Sequence, residues 1–270
     1  LMHQRLNYGI DFRGGTNIQI RFKEVPNLDQ LRNFFSEQDL GNVMLQTFGA
    51  VEDREILLGL SVDNPLGTGE KLTAGLREML QPNYPEMEIR RIETIGPKVG
   101  DELKTSALQA ILIALGLVLI YITFRFQWRQ GIAAIITLLH DVMVVVGIFS
   151  IFDKEFTLPV IAALLTVVGY SLNDTIVIFD RIRENISKFR KRELLPLINQ
   201  SVTETLSRTL LTSGTTLMVV LALVFLGGEI IHDFAFALLV GVLIGTYSSI
   251  YVASPTVLWL TKIAPPKTSD

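Results

Sequence analysis

The sequence predicts a polytopic α-helical membrane protein carrying a ferredoxin-like α+β domain outside the membrane, on three observations. First, 49% of the residues are hydrophobic and mean hydropathy is +0.40. Five apolar runs, 106–124, 131–152, 158–179, 209–226 and 235–260, fall within the last 165 positions of the chain. Each reaches the roughly 17–25 residues that cross ~30 Å of hydrocarbon as a helix. Second, charge is banded: residues 1–100 carry 11 Lys/Arg and 14 Asp/Glu, while residues 101–270 carry 13 of each, almost all outside the apolar runs. Soluble proteins spread charge over their surface, so banding marks membrane spans. Third, residues 1–100 alternate between strand and helix periodicity.

Within residues 1–100, positions 16–22 place Thr16, Ile18, Ile20 and Phe22 on one phase, as in a half-buried strand. Leu28, Leu31, Phe34 and Phe35 then recur at helical spacing. Strands follow at 43–48 and 55–62, a second helix at 72–80 and a fourth strand at 87–95. The order βαββαβ is the ferredoxin-like split βαβ pattern. Gly14-Gly15 ahead of the first strand reads as a tight turn needing positive φ. A phosphate cradle there would want a following Lys-Ser/Thr and a helix N-terminus, and neither follows. The one histidine of this region, His3, stands at its extreme start.

Loop charge orients the spans. Arg125 and Arg129 separate spans one and two, and residues 181–208 hold seven Lys/Arg against three Glu. The alternate loops, 153–157 and 227–234, contain a single basic residue, Lys154. The positive-inside rule puts the basic loops and the tail 263–270 in the cytoplasm and residues 1–100 outside. A domain exported in this way needs a membrane helix ahead of it, which is expected upstream of Leu1. Leu194, Leu195, Leu197 and Ile198 around Pro196, ahead of Val202 and Leu206, suggest an amphipathic helix at the cytoplasmic interface.

Composition narrows the function. A net charge of −3 without a basic face argues against nucleic-acid binding. The absence of cysteine excludes disulfides and thiolate metal sites. No nucleophile–base or metal-ligand cluster has usable spacing, so neither an enzyme nor a bound cofactor or metal is expected.

Polar groups at membrane depth are costly and need a reason. Span two carries His140-Asp141, and span three carries Asn173-Asp174 with Tyr170 and Ser171 a turn earlier. Span four opens at Arg208 and continues through Thr212, Ser213, Gly214, Thr215 and Thr216; Thr205, Arg208, Thr212 and Thr215 form a polar stripe. Three polar faces are expected to turn toward one another. Two uses compete: interhelical hydrogen bonding, and a proton relay of Asp174, Arg208, Asn173, Asp141 and His140. Asn in place of Asp174 would make similar hydrogen bonds without an ionisation penalty, which favours the relay there. Arg208 has a third option as a headgroup anchor. Gly241, Gly245, Ser249 and Ala253 recur every four residues in span five and are expected to admit close helix packing, as are Gly169 and Gly214.

The motifs Gly9-Ile10-Asp11-Phe12-Arg13-Gly14-Gly15-Thr16, His140-Asp141, Gly169-Tyr170-Ser171-Leu172-Asn173-Asp174, Asp180-Arg181-Ile182-Arg183-Glu184-Asn185 and Arg208-Thr209-Leu210 with Thr212 to Thr216 together resemble the SecF branch of the SecD/SecF family. That family is similar to resistance-nodulation-division (RND) transporters, so the resemblance implies an RND-like bundle lacking its first helix. It implies a bacterial inner-membrane accessory to the Sec translocase, with residues 1–100 periplasmic, that uses the proton motive force in late steps of polypeptide export. The implied partners are SecD, the SecYEG channel, YajC, a YidC-type insertase, the unfolded exported polypeptide and membrane lipid. Protons are the implied coupling ion, and the resemblance assigns their passage to Asp174 and Arg208. A scaffold that moves no protons and an RND-type small-molecule exporter are the alternatives.

Overall fold

The computed structural model describes residues 6–24, 26–38, 40, 43–49, 53–126, 128–189 and 193–263. His3 and positions 264–270 of the expected tail lie outside them. The chain forms two compact units: an α+β unit of Asn7–Leu108 with Glu155–Leu158, and a helical unit of Gln109–Lys154 and the chain from Pro159 onward.

The α+β unit opens with a two-residue strand β1 (Asn7–Tyr8) and a single helical turn α1 (Ile10–Arg13). The predicted pattern follows as β2 (Gly15–Arg21), α2 (Leu28–Glu37), β3 (Val43–Phe48), β4 (Glu55–Leu60), α3 (Glu70–Leu80) and β5 (Glu88–Ile95). The sheet order is β3-β4-β2-β5 with every neighbouring pair antiparallel, which is two interlocked split βαβ units. Alternation sends Ile18 and Ile20 of β2 and Ile56, Leu58 and Leu60 of β4 into the core. There they meet Leu31 and Phe35 of α2 and Leu72, Leu76 and Leu80 of α3. Each such side chain contributes about 1.5–3 kcal/mol on burial. Asn27 caps α2 by accepting from the N–H of Asp29 at 2.9 Å.

Strand β5 departs from simple alternation. Its half-buried residues are Ile89, Ile92 and Ile95, three apart. The register against β2 skips Arg90, because Gln19 pairs Arg91 while Ile20 pairs Ile89. This bulge turns both Ile92 and Ile89 to the core face.

Gly14 and Gly15 have φ of +69° and +138°. A Cβ on Gly15 would lie 2.5 Å from the carbonyl oxygen of Leu60, so the diglycine serves turn geometry and close strand approach.

The segment 153–157, expected as a plain loop, contains strand β6 (Glu155–Phe156), which pairs in parallel with β1. Beside it the Asp11 carboxylate accepts from the backbone N–H of Leu158 at 2.8 Å. Leu158 is the first residue of a long helix and has no intrahelical acceptor for that hydrogen, so Asp11 caps it from 147 positions away in the chain. Neither contact has a local signature in sequence.

Among the described residues, five helices are long and apolar enough to cross a membrane: α4 (Pro97–Arg125), α5 (Trp128–Ile151), α6 (Leu158–Lys188), α7 (Leu194–Leu226) and the continuous stretch Ile231–Ile263. That last stretch covers α8 (Glu229–Ser248) from its third residue, a π-helical turn (Ser249–Ala253) and α9 (Ser254–Ile263). The polytopic helical class with a small sheet is the one the sequence predicts.

Three expectations are corrected. The segment 194–206 is no separate interfacial helix, because α7 runs unbroken from Leu194. Pro196 lies in its first turn, where a missing N–H costs nothing. Its apolar face, with Leu197 and Ile198, is buried, and Ile198 clusters with Ile178, Phe179 and Ile182 of α6. The inward stripe of α7 is Ser201, Thr205, Thr209 and Ser213 rather than Thr205, Arg208, Thr212 and Thr215. The hydroxyls of Thr212, Thr215 and Thr216 return to carbonyls of their own helix. Lastly, Gly169 and Gly214 make no close approach, with nothing within 4 Å of an added Cβ. Val167 faces α8, and Gly169, two residues on, points about 200° round the helix.

Gly241 and Gly245 do admit close packing. A Cβ on Gly241 would run into Val167 Cγ2, and one on Gly245 would lie 3.1 Å from Ser171 Cβ. Ser249 and Ala253 complete that stripe fully buried.

Candidate polar site in the helical unit

Two buried carboxylates organise the interior of the helical unit. Asp174 on α6 is 2% exposed and Asp141 on α5 is 1% exposed. Asp174 Oδ2 accepts from Ser213 Oγ of α7 at 3.2 Å, and Asn173 Nδ2 reaches its Oδ1 at 3.4 Å. Asp141 is more fully satisfied. Its Oδ2 accepts from Ser171 Oγ of α6 at 2.5 Å and Ser248 Oγ of α8 at 2.8 Å, while its Oδ1 lies 2.9 Å from His140 Nδ1.

The helices deliver these groups by simple periodicity. Ser171 and Asp174, three apart on α6, occupy one face and are both buried. Ser213 ends the inward stripe of α7. The glycines of α8 bring its backbone against α6, so the short hydroxyls of Thr246 and Ser248 reach the carboxylate layer. Thr246 Oγ1 lies 2.7 Å from Ser213 Oγ.

Of the five residues singled out in sequence, Asp174 and Asn173 fall in one network and Asp141 and His140 in the other. Arg208 is exposed, and among the described residues no hydrogen bond or ion pair engages its guanidinium. Sequence reasoning assigned span five to packing alone and so missed Thr246 and Ser248. Small hydroxyl residues flanking a glycine stripe were the available signal. Tyr170 Oη, Thr175 Oγ1 and Thr209 Oγ1 are further buried polar atoms that have no hydrogen-bond partner among the described residues.

A second polar layer joins the ends of α4, α6 and α7. Arg125 Nη2 pairs with Asp180 Oδ2 at 2.6 Å, and Arg181 pairs with Glu184 and Glu204. Asn185, 1% exposed, donates to Ser201 and Glu204, both at 2.9 Å. The motif running from Asp180 to Asn185 therefore stitches helix ends.

Apolar spans around a buried Asp-Ser-Thr interior, together with a ferredoxin-like unit, define a polytopic α-helical membrane protein with a small α+β unit. The family model for the protein export membrane protein SecD/SecF, C-terminal, matches residues 76–263, and that for the SecD/SecF GG motif matches residues 1–24. The chain belongs to the SecD/SecF family of protein-export membrane proteins. It is 50% identical to the protein translocase subunit SecF of Desulfurispirillum indicum, over 92% of this chain and 80% of that one. It is 48% identical to the SecF of Vibrio alginolyticus, over 94% and 80%. Among solved structures it is similar to SecDF, a translocon-associated membrane protein from Thermus thermophilus, with a TM-score of 0.85 at 41% identity over 95% of this chain. A structure of SecDF in a super-membrane-facing form gives a TM-score of 0.68 at 41% identity. The chain spans about a third of those SecDF chains, 34% and 35%.

Proposed function

We propose that this chain is the SecF-type subunit of a bacterial Sec translocase, and that proton binding at Asp174 drives late steps of polypeptide export. The observation that carries this reading is a carboxylate 2% exposed inside an apolar bundle, met by one hydroxyl at 3.2 Å and one amide at 3.4 Å. A purely structural role would be filled by Asn at less cost. Asn173 orients the carboxylate, and Arg208 supplies a nearby positive charge that a gained or lost proton would feel. His140 and Asp141 form a second station. One proton crossing the membrane supplies about 2.3 kcal/mol per 100 mV, on the scale of a conformational bias.

The family relationship supports SecD as the partner, in the same chain or another, with SecYEG, YajC and a YidC-type insertase as further contacts. The basic segments then face the cytoplasm and the α+β unit faces the periplasm of the inner membrane. Proton flux into proteoliposomes holding this chain with its SecD partner tests the reading. Asp174→Asn is expected to lower flux on the order of 10²-fold, the scale of a lost proton-transfer group. Unchanged flux with intact assembly would instead favour a scaffold. The three donors around Asp141 fit a scaffold role as well as a relay, so Asp141→Asn in the same assay assigns that site separately.

A further inference from the structure

Thr246 lies on a helix to which sequence assigned only packing, yet its hydroxyl stands at a branch point. Its Oγ1 is 2.7 Å from Ser213 Oγ and 2.8 Å from the carbonyl oxygen of Val242, one turn back on α8. The hydroxyl has one hydrogen, so it donates to one of these at a time. Ser213, 2% exposed, is likewise placed between Thr246 and Asp174.

We infer that Ser213 and Thr246 form a reversible hydroxyl chain that accommodates both protonation states of Asp174 and transmits the state to α8, making Thr246 a positioning residue for proton uptake. The inference rests on the role given to Asp174 above. With Asp174 ionised, Thr246 donates to Ser213 and Ser213 donates to Asp174 Oδ2. With a proton on Oδ2, Asp174 donates to Ser213, Ser213 donates to Thr246, and Thr246 turns its hydrogen to the Val242 carbonyl. No covalent O–H bond breaks within the chain; only two hydroxyl hydrogens rotate. Every member is satisfied in both states, which a buried network requires. The readout falls on the helix that also donates to Asp141 through Ser248 at 2.8 Å.

Two assays on the full chain decide it. In proteoliposomes with the SecD partner, Thr246→Val, which keeps shape and removes the hydroxyl, is expected to lower proton flux about 2- to 10-fold. Thr246→Ser should restore flux to within about twofold of the unmodified protein. In infrared difference spectra between acidic and alkaline buffer, the protonated-carboxyl band identified by its loss in Asp174→Asn should shift in Thr246→Val and return in Thr246→Ser. Unmoved flux and an unmoved band in Thr246→Val overturn the chain. If Asp174→Asn leaves flux unchanged, the relay reading fails, and the infrared band still decides the hydroxyl chain by itself. If Thr246→Val does not assemble, Ser213→Ala must shift the same band, and an unshifted band there refutes the proposal.

Discussion

The α+β unit and the helical unit are packed by opposite rules. In the first, the buried side chains are almost uniformly apolar, and among the described residues Thr16 and Asn64 are its buried polar ones. In the second, Asp, Asn, Gln, Ser and Thr occupy buried positions on α5, α6, α7 and α8, while Leu210, Leu211, Met218 and Phe225 of α7 are exposed. Water drives the first arrangement, since the core removes apolar area from solvent. Hydrocarbon cannot drive the second, because lipid tails are as apolar as Leu; close packing and hydrogen bonds between helices replace it. The contrast teaches where chemistry can reside. A polar group buried in the α+β unit would weaken it, whereas the same group in the helical unit is both the adhesive and the candidate machinery.

The largest expected effect comes from breaking the water-driven core. Leu58→Ala should destabilise the α+β unit by about 2–5 kcal/mol. Amide hydrogen exchange is expected to accelerate in β2 and β4 while α6 stays protected; equal loss in both units would erase the distinction. Next is the packing that replaces the hydrophobic effect. Gly241→Ala forces a methyl into Val167, a cost of about 1–3 kcal/mol. Thermal unfolding in detergent should show that loss, and adding Val167→Ala should recover most of it. The smallest effect concerns a hydroxyl that joins nothing. Thr209 Oγ1 has no partner among the described residues, so Thr209→Val should be neutral or stabilising by up to about 1 kcal/mol in the same melt. A substantial loss would mean that this hydroxyl belongs to the polar network after all.

Much of this was legible in sequence because it is periodic. Ile18 and Ile20 announce a strand by alternation, and Leu72, Leu76 and Leu80 announce a helix by recurrence every fourth residue. Asp174 and Asp141 stand out because a charge in an apolar run is improbable without a reason. What escaped is what depends on distant partners. The pairing of β1 with β6, the Asp11 cap on Leu158 and the stitching of helix ends by Arg125, Arg181 and Asn185 all join segments far apart in the chain. The α7 stripe was misread by one residue because Thr and Ser lie on several faces of that helix. Only contact with α6 and α8 selects Ser201, Thr205, Thr209 and Ser213.

The sequence by itself determined which segments are apolar enough to span a membrane, the split βαβ order and the two intramembrane carboxylates, because these follow from local pattern and solvation cost. Tertiary structure alone decided which hydroxyl meets which carboxylate. That outcome depends on how closely helices approach and how they are rotated, and Gly241 and Gly245 set both by letting α8 lie against α6, bringing Thr246 to Ser213 and Ser248 to Asp141.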